Sequence, residues 1–525
     1  MRSKSDKTTR INRRLLAKIG ILVFLLLAAF FYVANRYKRA HFGDAQIDEI
    51  IFYFANGAGD GQLSSLISAA QDNLLLCGIV FFILLLPVID FYRNRISINF
   101  DLSFLEKSKK INFNPSKIRL KYKFIYALSM LLISTWLLLS SFGVFDYIWS
   151  LTQTSKLYEE HYVEPSTAKM KFPETKRNLV YIYLESMENT LFSKDNGGQS
   201  SASIMPELEK LASDPANVSF SNLQSGLGGP LPATGTTWTV GAMMAQSGGV
   251  PLKSSILGQD HNSMGLYKEF LPGAYTIGDV LADNGYNQTF IMGSESSFGG
   301  RDKMLQQHGN ISIQDYPYAK ASGQISPDYG VWWGYEDKKL FEFGKTELLR
   351  LASEDQPFSL SLLTADTHFT DGWLDPSCQT DYQSKYSNVH ACSSKMVTEF
   401  VDWVKSQPFA DNTTIILSGD HLGMQTSYYD DMIKQPDYQR TGYNVFINSA
   451  VKPTSTHGRL FSSFDMYPST LAALGVSIEG NRLALGTNLF SEEHTLVEQF
   501  GTIDNLNSEL SKRSNYYEKQ IFLAD

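Results

Sequence analysis

Three features that often assign a sequence to a class are scarce in this chain. Positive charge is not in excess, because 46 lysines and arginines face 54 aspartates and glutamates and the formal net charge is -8. A nucleic-acid partner is therefore not expected. Cysteines number three in 525 residues, and no internal repeat or low-complexity tract is present. The length alone predicts roughly two to four structural units.

Long apolar runs, in contrast, dominate the N-terminal part, which we assign to a membrane domain over residues 1–146. The runs are LLAKIGILVFLLLAAFFYVAN at 15–35, NLLLCGIVFFILLLPVI at 73–89 and FIYALSMLLISTWLLLSSFGVF at 124–145. A helix of about 20 residues crosses a bilayer core of about 30 Å. The sequence therefore predicts three transmembrane helices, near 15–35, 73–90 and 124–145. The second run is short and contains Pro87, so a buried soluble helix is its alternative.

Basic residues beside these runs predict the orientation in the cell membrane. The arm at 1–18 and the loop at 93–123 are rich in lysine and arginine. Because cytoplasmic loops carry an excess of these residues, both segments are expected inside the cell. Three spans then place the chain after residue 146 outside the cytoplasm, in a periplasmic or extracellular location. The first run is too long for the core of a cleaved signal peptide.

The cysteines agree with this topology. Cys77 lies in the second run, and Cys378 and Cys392 lie in the part expected outside. An oxidising compartment favours one disulfide between the latter two, which loop-entropy arithmetic values at about 3 kcal/mol. Two buried free thiols are the alternative.

Short apolar runs alternate with helical patterns over residues 177–495. Strand-like runs include NLVYIYL, NQTFIMG, PFSLSLLTA, TTIILSGDH and YNVFINS. Strands that alternate with helices predict an α/β domain with a mostly parallel central sheet covered by helices. Residues 147–176 are predicted to be an exposed linker, and residues 496–525 a polar C-terminal tail.

Two predicted strands end in groups that can bind a metal. Glu185 follows the first strand, and Asp420 and His421 follow TTIILSG. Chemistry in parallel sheets collects beyond the carboxyl ends of the strands. Carboxylate oxygens and one imidazole suit Mn²⁺, Mg²⁺ or Zn²⁺. One divalent metal is therefore expected.

The stretch ATGTTWTVGAMMAQSGGVPL at 233–252 is rich in hydroxyls. Thr234 or Thr236 could simply cap the apolar run that follows. A threonine beside a bound metal could instead act as a nucleophile, since the metal lowers the pKa of its hydroxyl. A helix that starts there would also favour a phosphate through its free N–H groups.

Six segments resemble the glucan-modifying phosphoglycerol transferases and, more distantly, the lipoteichoic acid synthases. The segments are NLVYIYLESMENT, GTTWTVGAMMAQSGGVPL, FGGRDKMLQQHG, DYGVWWGYEDKKLFE, LLTADTHFTDG and LSGDHLGM. Both families belong to the sulfatase-like part of the alkaline phosphatase superfamily, and the similarity covers roughly residues 160–475. The resemblance implies a sulfatase-like fold.

The resemblance also implies a ligand set of Glu185, Thr236, Asp420 and His421 for one divalent metal, with Mn²⁺ favoured over Mg²⁺ or Zn²⁺. Thr236 is chosen as the nucleophile because it precedes Pro251 by the offset typical of the family. The other threonines, Thr234, Thr237 and Thr239, are interpreted as caps or packing residues. True sulfatases need a Cys or Ser followed by Pro and Arg for formylglycine formation, and TTWTV has neither, so sulfate ester hydrolysis is not expected.

Substrate-binding residues implied by the resemblance are His368, Arg301 and Trp333. His368 is expected to be the general acid and base, and Arg301 to bind phosphate or glycerol oxygens. Gly299 stands where lipoteichoic acid synthases carry tryptophan, so the glycerol pocket is expected to differ. Trp333 and Asp337 match a family motif, although a core tryptophan and a structural aspartate at a helix start explain them nearly as well. Asp465 is interpreted as a structural residue at a helix start.

The function implied is transfer of a glycerophosphoryl group from phosphatidylglycerol to a glycan or glycolipid acceptor, through a covalent glycerophosphoryl-threonine. A phosphoethanolamine transferase or a phosphodiesterase of the same superfamily is the nearest alternative. A non-catalytic, membrane-tethered glycan-binding module is the alternative from a different class.

Overall fold

The computed structural model describes residues 4–41, 60–88, 98–104, 107–113, 118–150, 152–253 and 268–523. The described residues up to 145 form one compact unit and those from 146 onward form a second.

The N-terminal unit is built from long helices and one hairpin. Its elements are α1 (Lys4–His41), α2 (Asp60–Leu85), the antiparallel strands β1 (Ile98–Phe104) and β2 (Lys107–Phe113), and α3 (Leu120–Ser141). Helix α1 packs against α3 through the rings of Phe24 and Phe124, whose centroids are 5.4 Å apart. Near the C-terminal ends of α1 and α3, Lys38 Nζ donates to the carbonyl of Ser141 at 2.6 Å.

Two helices in the described residues are long and apolar enough to cross a membrane, at 14–40 and at Leu120–Ser141. The second predicted span is shorter than expected: its apolar helical part is Asn73–Leu85, and a turn at residues 86–88 follows. Pro87 explains this end, since proline cannot continue the hydrogen-bond ladder of a helix. Residues 89 and 90 of that predicted span lie outside the described residues.

A six-stranded sheet organises the C-terminal unit. The strands of this unit are β3 (Met170–Lys171), β4 (Asn178–Leu184), β5 (Asn287–Met292), β6 (Ser312–Gln314), β7 (Phe358–Leu363), β8 (Thr413–Gly419), β9 (Asn444–Ile447), β10 (Ser477–Ile478), β11 (Arg482–Leu483) and β12 (Gly486–Thr487). The large sheet has the order β6-β5-β7-β4-β8-β9, and every neighbouring pair is parallel except β8 with β9. The predicted mostly parallel sheet is confirmed, with one antiparallel edge strand.

Helices cover both faces of this sheet. The helices from Val144 onward are α4 (Val144–Ser150), α5 (Leu157–His161), α6 (Pro206–Ser213), α7 (Thr239–Gly248), α8 (Ile277–Asp283), α9 (Arg301–Gln307), α10 (Tyr316–Ala321), α11 (Asp337–Ala352), α12 (Lys385–Lys405), α13 (Thr426–Met432), α14 (Met466–Ala473), α15 (Leu496–Phe500) and α16 (Ile503–Ser511). Successive residues of β4 face opposite cores: Tyr181 and Tyr183 pack with α7, α8 and α14, while Val180 and Ile182 pack with α11 and α12. Both faces being buried explains the continuous apolar run of β4.

The segments predicted as a linker and a polar tail are packed into this unit. Leu157 and Tyr158 of the first are 3% and 2% exposed, and β3 pairs with β10. In the second, α15, α16 and a π-helix at Tyr517–Phe522 bury their apolar residues in the core. Widely spaced apolar residues inside a polar stretch are the pattern of an amphipathic helix. The prediction of a polar tail did not take this spacing into account.

The C-terminal helices hold the threonine-rich stretch. Asn507 Oδ1 accepts from the backbone N–H of Thr234 at 2.8 Å, and its Nδ2 donates to the carbonyl of Pro232 at 3.2 Å. Tyr517 donates its hydroxyl to the carbonyl of Pro251 at 2.9 Å. Both ends of the stretch are therefore fixed by residues from the last part of the chain.

Replacing Leu506 with alanine is expected to lower the free energy of unfolding by about 2–5 kcal/mol, because its side chain is fully buried and its loss leaves a cavity. Chemical denaturation measures this. Ser508→Ala on the exposed face of the same helix is the matched control, with an expected change within about 0.5 kcal/mol. Equal effects of the two substitutions would contradict the packed arrangement of α16.

Cys378 and Cys392 form a disulfide, with a Cα–Cα distance of 5.6 Å. It ties the loop after β7 to the first turns of α12. Cys77 is a free thiol. Of the two alternatives for the pair, the disulfide is therefore the one found.

Candidate active site

The predicted site residues gather beyond the carboxyl ends of four neighbouring strands. Glu185 follows β4, Arg301 follows β5, His368 follows β7, and Asp420 and His421 follow β8. In parallel sheets these ends meet at one edge, which is where such folds build their sites.

Glu185, Asp420 and His421 form a buried cluster whose ligand atoms all lie within 4.8 Å of one another. His421 Nε2 lies 3.4 Å from Glu185 Oε1 and 3.5 Å from Asp420 Oδ2. The pairing of β4 with β8, in which Leu184 faces Gly419, brings the three residues together. The cluster that the strand ends predicted is thus formed.

The hydrogen bonds around this cluster leave Asp420 Oδ2 and His421 Nε2 facing each other inside it. His421 Nδ1 lies 2.9 Å from the carbonyl of Leu422 and must donate to it. A neutral imidazole then presents the lone pair of Nε2 to the two carboxylates, which is the form that binds a metal. Asp420 Oδ1 accepts from the backbone N–H of Ser186 and of His421, whereas Oδ2 accepts no hydrogen bond from any described residue.

The electrostatics of the cluster suit a divalent cation. Burial and the neighbouring Glu185 carboxylate raise the pKa of Asp420 to about 7. Burial also raises the pKa of Glu185, but His421, His368 and hydrogen bonds from Ser186 and Thr239 outweigh it, so its pKa is lowered. Two buried carboxyls and one lone pair at this distance repel unless a proton or a cation lies between them. Oxygen and imidazole donors in this number fit Mn²⁺, Mg²⁺ or Zn²⁺.

The threonine beside the cluster is Thr239. Its hydroxyl lies 3.4 Å from Glu185 Oε2 and 3.5 Å from His421 Nε2. Thr239 is the first residue of α7, after Trp238 as the N-cap. The first N–H groups of a helix lack partners within it and attract anions. Thr239 therefore lies beside the candidate metal ligands and at the start of a helix, which are the two features expected of Thr236.

Thr236 has a structural contact instead. Its hydroxyl donates to the carbonyl of Ala233 at 2.9 Å, and its N–H donates to the same carbonyl at 3.2 Å. These bonds close a turn in which Gly235 has φ +81°, a value that favours glycine. Among the described hydrogen bonds, none joins Thr236 to the cluster, so the threonine that the structure places beside the cluster is Thr239 and not Thr236.

The offset from Pro251 that pointed to Thr236 corresponds to a packing contact of this turn. Leu252 donates its N–H to the carbonyl of Gly235 at 3.0 Å. A Cβ on Gly235 would approach Pro251 Cβ to 2.7 Å. The spacing is therefore a packing requirement of Gly235. The signal that could have identified Thr239 is its position immediately before the uninterrupted run VGAMMA, where α7 begins.

His368 and Trp333 lie together at the edge of the site. Their ring centroids are 4.7 Å apart in an edge-to-face arrangement. His368 Nδ1 lies 2.7 Å from the carbonyl of Phe369 and donates to it, which leaves Nε2 as the proton acceptor. Burial lowers the pKa of His368, against the opposite effect of Glu185. The imidazole is thus held neutral and close enough to the cluster to interact with it.

Arg301 is the first residue of α9 and is almost completely buried. Its guanidinium donates to the carbonyls of Phe298 and Glu295 and to the hydroxyl of Ser294. It is also close enough to lower the pKa of His368. Arg301 therefore contributes a fixed positive charge near His368, and its binding of phosphate or glycerol oxygens stays a prediction.

Glu188 was not identified from the sequence. Its buried carboxylate accepts from the N–H of Gly423 at 2.8 Å and forms an ion pair with Arg440 through two nitrogens. Arg440 also donates to the carbonyl of Gly423 at 2.7 Å. The pair fixes the loop that carries His421. Its position three residues after Glu185, in ESMEN, was the available signal.

Two aspartates shape the loop of His368. Asp337 accepts from the N–H of Ala365 at 2.7 Å and of Asp366 at 3.2 Å, which agrees with a structural role. Burial and the charge of Asp337 raise the pKa of Asp366 to about 10.

Asp465, in turn, accepts from the N–H groups of Ser462 and Thr487 far along the chain, as a structural residue does.

Comparison with known proteins identifies the family. The family described as Sulfatase matches residues 177–476, which is more than half of the chain. Phosphoglycerol transferase I of Xanthomonas campestris pv. campestris (strain B100) is 31% identical over 307 residues, 57% of this chain and 41% of the relative. Phosphoglycerol transferase I of Salmonella typhi is 32% identical over 282 residues, 52% of this chain and 34% of the relative. The resemblance inferred from the motifs is confirmed.

The chain spans less than half the length of these curated relatives. Among solved structures, the lipoteichoic acid synthase LtaP from Listeria monocytogenes is similar with a TM-score of 0.48 and 17% identity, covering 62% of this chain and 79% of that chain.

Proposed function

This chain belongs to the sulfatase family, and from its site we propose that it is a membrane-bound glycerophosphotransferase that uses Thr239 as its nucleophile. The observation that carries the proposal is the hydroxyl of Thr239 beside Glu185 and His421, at the start of α7. The donor is phosphatidylglycerol and the acceptor is a hydroxyl of a glycan or glycolipid. The curated relatives named phosphoglycerol transferase I support this reaction class.

Glu185, Asp420, His421 and Thr239 would hold one divalent cation, with Mn²⁺ as the favoured ion. When bound, such an ion lowers the pKa of the threonine hydroxyl and neutralises charge on a phosphate oxygen. The donor set fits this role because the buried Oδ2 of Asp420 accepts no hydrogen bond from a described residue and lies 3.5 Å from Nε2 of His421.

In the first step, Thr239 Oγ1 attacks the phosphorus of the lipid phosphodiester. The bond between phosphorus and the diacylglycerol oxygen breaks, and the glycerophosphoryl group stays on Thr239. The hydroxyl proton has an acceptor in Glu185 Oε2 at 3.4 Å. The free N–H groups at the start of α7 and the guanidinium of Arg301 favour the negative charge that develops on the phosphoryl oxygens.

His368 serves both halves of the exchange. In its imidazolium form, Nε2–H protonates the leaving diacylglycerol oxygen in the first step, and the neutral imidazole that results removes the proton of the acceptor hydroxyl in the second. The acceptor oxygen then bonds to phosphorus as the bond to Thr239 Oγ1 breaks, and Thr239 takes back the proton that Glu185 received. The neutral form, which burial favours by lowering the pKa of His368, suits the second step. Trp333 holds the ring through its edge-to-face contact at 4.7 Å.

The proposal includes three spans, a cytoplasmic N-terminus and a catalytic unit outside the cytoplasm. The helices at 14–40 and Leu120–Ser141 support two of these spans, and the basic residues of the arm and the loop support the orientation. The Cys378–Cys392 disulfide is consistent with an oxidising compartment. The donor lipid would then be reached in the outer leaflet.

The test is incubation of the full chain, in detergent, with phosphatidylglycerol and Mn²⁺. We expect diacylglycerol release and, by mass spectrometry, a glycerophosphate adduct on Thr239 in the peptide spanning residues 233–252. Phosphatidylethanolamine replaces the donor in a parallel reaction, since a phosphoethanolamine adduct would assign the alternative activity. The absence of both adducts and of lipid cleavage in folded, Mn²⁺-loaded protein would refute the proposed transferase.

A further inference from the structure

Trp332 occupies a backbone position that is unfavourable for a large side chain. Val331 and Gly334 exchange two backbone hydrogen bonds, each 2.9 Å long, so Trp332 and Trp333 form the tip of a tight hairpin. Trp332 has φ +57°, in the left-handed region. Two-residue hairpin turns prefer glycine, asparagine or aspartate at such a position. A bulky residue there is an outlier, and such strain is typical of functional sites.

The indole of Trp332 is exposed but fixed. The residue is 39% exposed, whereas most large apolar residues in the described part of the C-terminal unit are buried or half-buried. Its Nε1–H donates to the carbonyl of Ala365 at 3.0 Å. In a buried tryptophan, packing could compensate for the backbone strain. A fully exposed tryptophan would have no contact that compensates for it. This ring is held in one orientation with part of its face open to solvent.

Trp332 lies beside the loop that carries His368 of the proposed site. Ala365, which receives the indole N–H, is in the same loop as His368. Trp333, the other residue of the hairpin tip, contacts the His368 ring at 4.7 Å. Any molecule that rests on Trp332 is therefore adjacent to the base that we assign to the acceptor step.

We propose that Trp332 is a stacking platform for a sugar ring of the acceptor. The inference rests on the proposed function and names the acceptor chemistry at its site. The only hydrogen-bond donor of the indole is already used on Ala365, so the exposed part offers an apolar, electron-rich face. The face of a pyranose ring, with several C–H groups in one plane, complements such a surface. A charged headgroup or a flexible glycerol chain has no equivalent flat apolar face.

The experiment compares methyl β-D-glucopyranoside with glycerol as acceptors, with phosphatidylglycerol as donor. In Trp332→Gly we expect the KM for the glucoside to rise about tenfold, equivalent to about 1.4 kcal/mol. Transfer to glycerol and formation of the Thr239 adduct are expected to stay within about twofold of wild type. Because glycine relieves the backbone strain, the melting temperature is expected not to fall. Trp332→Phe should restore part of the glucoside preference.

Tyr318→Ala is the matched control, since Tyr318 is an equally exposed aromatic residue on α10. Saturation-transfer NMR of the glucoside with wild type and Trp332→Gly needs no turnover, so it tests the platform even if the transferase reaction fails. The proposal is overturned if both acceptors are affected equally, or if the NMR contact is unchanged in Trp332→Gly. Loss of the lipid adduct with an unchanged glucoside KM would assign Trp332 to the donor and also overturn it.

Discussion

Thr239→Ala is expected to reduce glycerophosphoryl transfer by at least about a thousandfold, because the variant lacks the oxygen that attacks phosphorus. Removing a covalent nucleophile elsewhere costs losses of this order or larger. The hydroxyl lies 3.4 Å from Glu185 Oε2 and 3.5 Å from His421 Nε2, so no other side-chain oxygen of the threonine-rich stretch has these contacts among the described residues. Diacylglycerol release and the mass of the 233–252 peptide are the measurements.

Thr236→Ala is the decisive comparison. It removes one hydrogen bond to Ala233 and leaves the Thr239 contacts intact, so activity should stay within about tenfold and the cost should appear in stability, at about 1 kcal/mol. Thr239→Ser keeps a hydroxyl and should retain measurable transfer. If Thr236→Ala abolished the adduct in folded protein and Thr239→Ala did not, the assignment of the nucleophile would be reversed.

The metal cluster could be predicted from the sequence because strand ends are fixed by local patterns. NLVYIYL and TTIILSG are unbroken apolar runs, and the polar residues directly after them must emerge at the same edge once the strands are parallel. The one further assumption needed was that β4 and β8 are neighbours in the sheet. Glu185, Asp420 and His421 needed no knowledge of side-chain conformation to be placed together.

The choice among the threonines depended on details that a sequence does not contain. Thr236 and Thr239 are separated by fewer residues than one helical turn, but a turn at Gly235 directs one toward Ala233 while the start of α7 directs the other toward Glu185. Neither the exact start of the helix nor the packing of Gly235 on Pro251 follows from periodicity. Trp332 was missed for a similar reason, since its positive φ is a consequence of the hairpin.

The flanking segments were mispredicted because composition was given more weight than spacing. Residues 496–525 are mostly polar, but Leu506 and Leu510 lie on one face of α16 and are fully buried. Asn507, on the same helix, binds the stretch that contains Thr239. A segment that contributes to the active-site scaffold can thus look like a disordered extension when only its polar fraction is considered.

The affinity for Mn²⁺ is expected to rise about tenfold per pH unit between about pH 5.5 and pH 7, and then to level off. In the metal-free folded protein, burial and Glu185 raise the pKa of Asp420 to about 7. Below this pH the carboxyl holds a proton that the cation must displace, and one proton released per ion gives this slope. Calorimetric titration in buffers of different ionisation enthalpy measures both the affinity and the released proton.

The raised pKa of Asp420 also makes the stability of the metal-free protein depend on pH. An unfolded aspartate loses its proton near pH 4, whereas folded Asp420 keeps it until about pH 7, so the folded state binds more protons across this window. The free energy of unfolding therefore falls as the pH rises from about 4 to about 7, by up to about 4 kcal/mol from this group. A bound cation replaces the proton and removes the penalty, so the stabilisation by Mn²⁺ should be larger at pH 8 than at pH 5.5.

Two variants separate this effect from a general response to pH. Asp420→Asn has no proton to release and should lose both the slope and most of the affinity. Asp465→Asn changes another buried carboxyl whose pKa burial raises to about 7, but one that accepts from Ser462 and Thr487 away from the cluster. It should keep the slope of wild type. An Mn²⁺ affinity independent of pH below 7, or a slope lost in Asp465→Asn and retained in Asp420→Asn, would exclude Asp420 as the ligand whose proton the ion displaces.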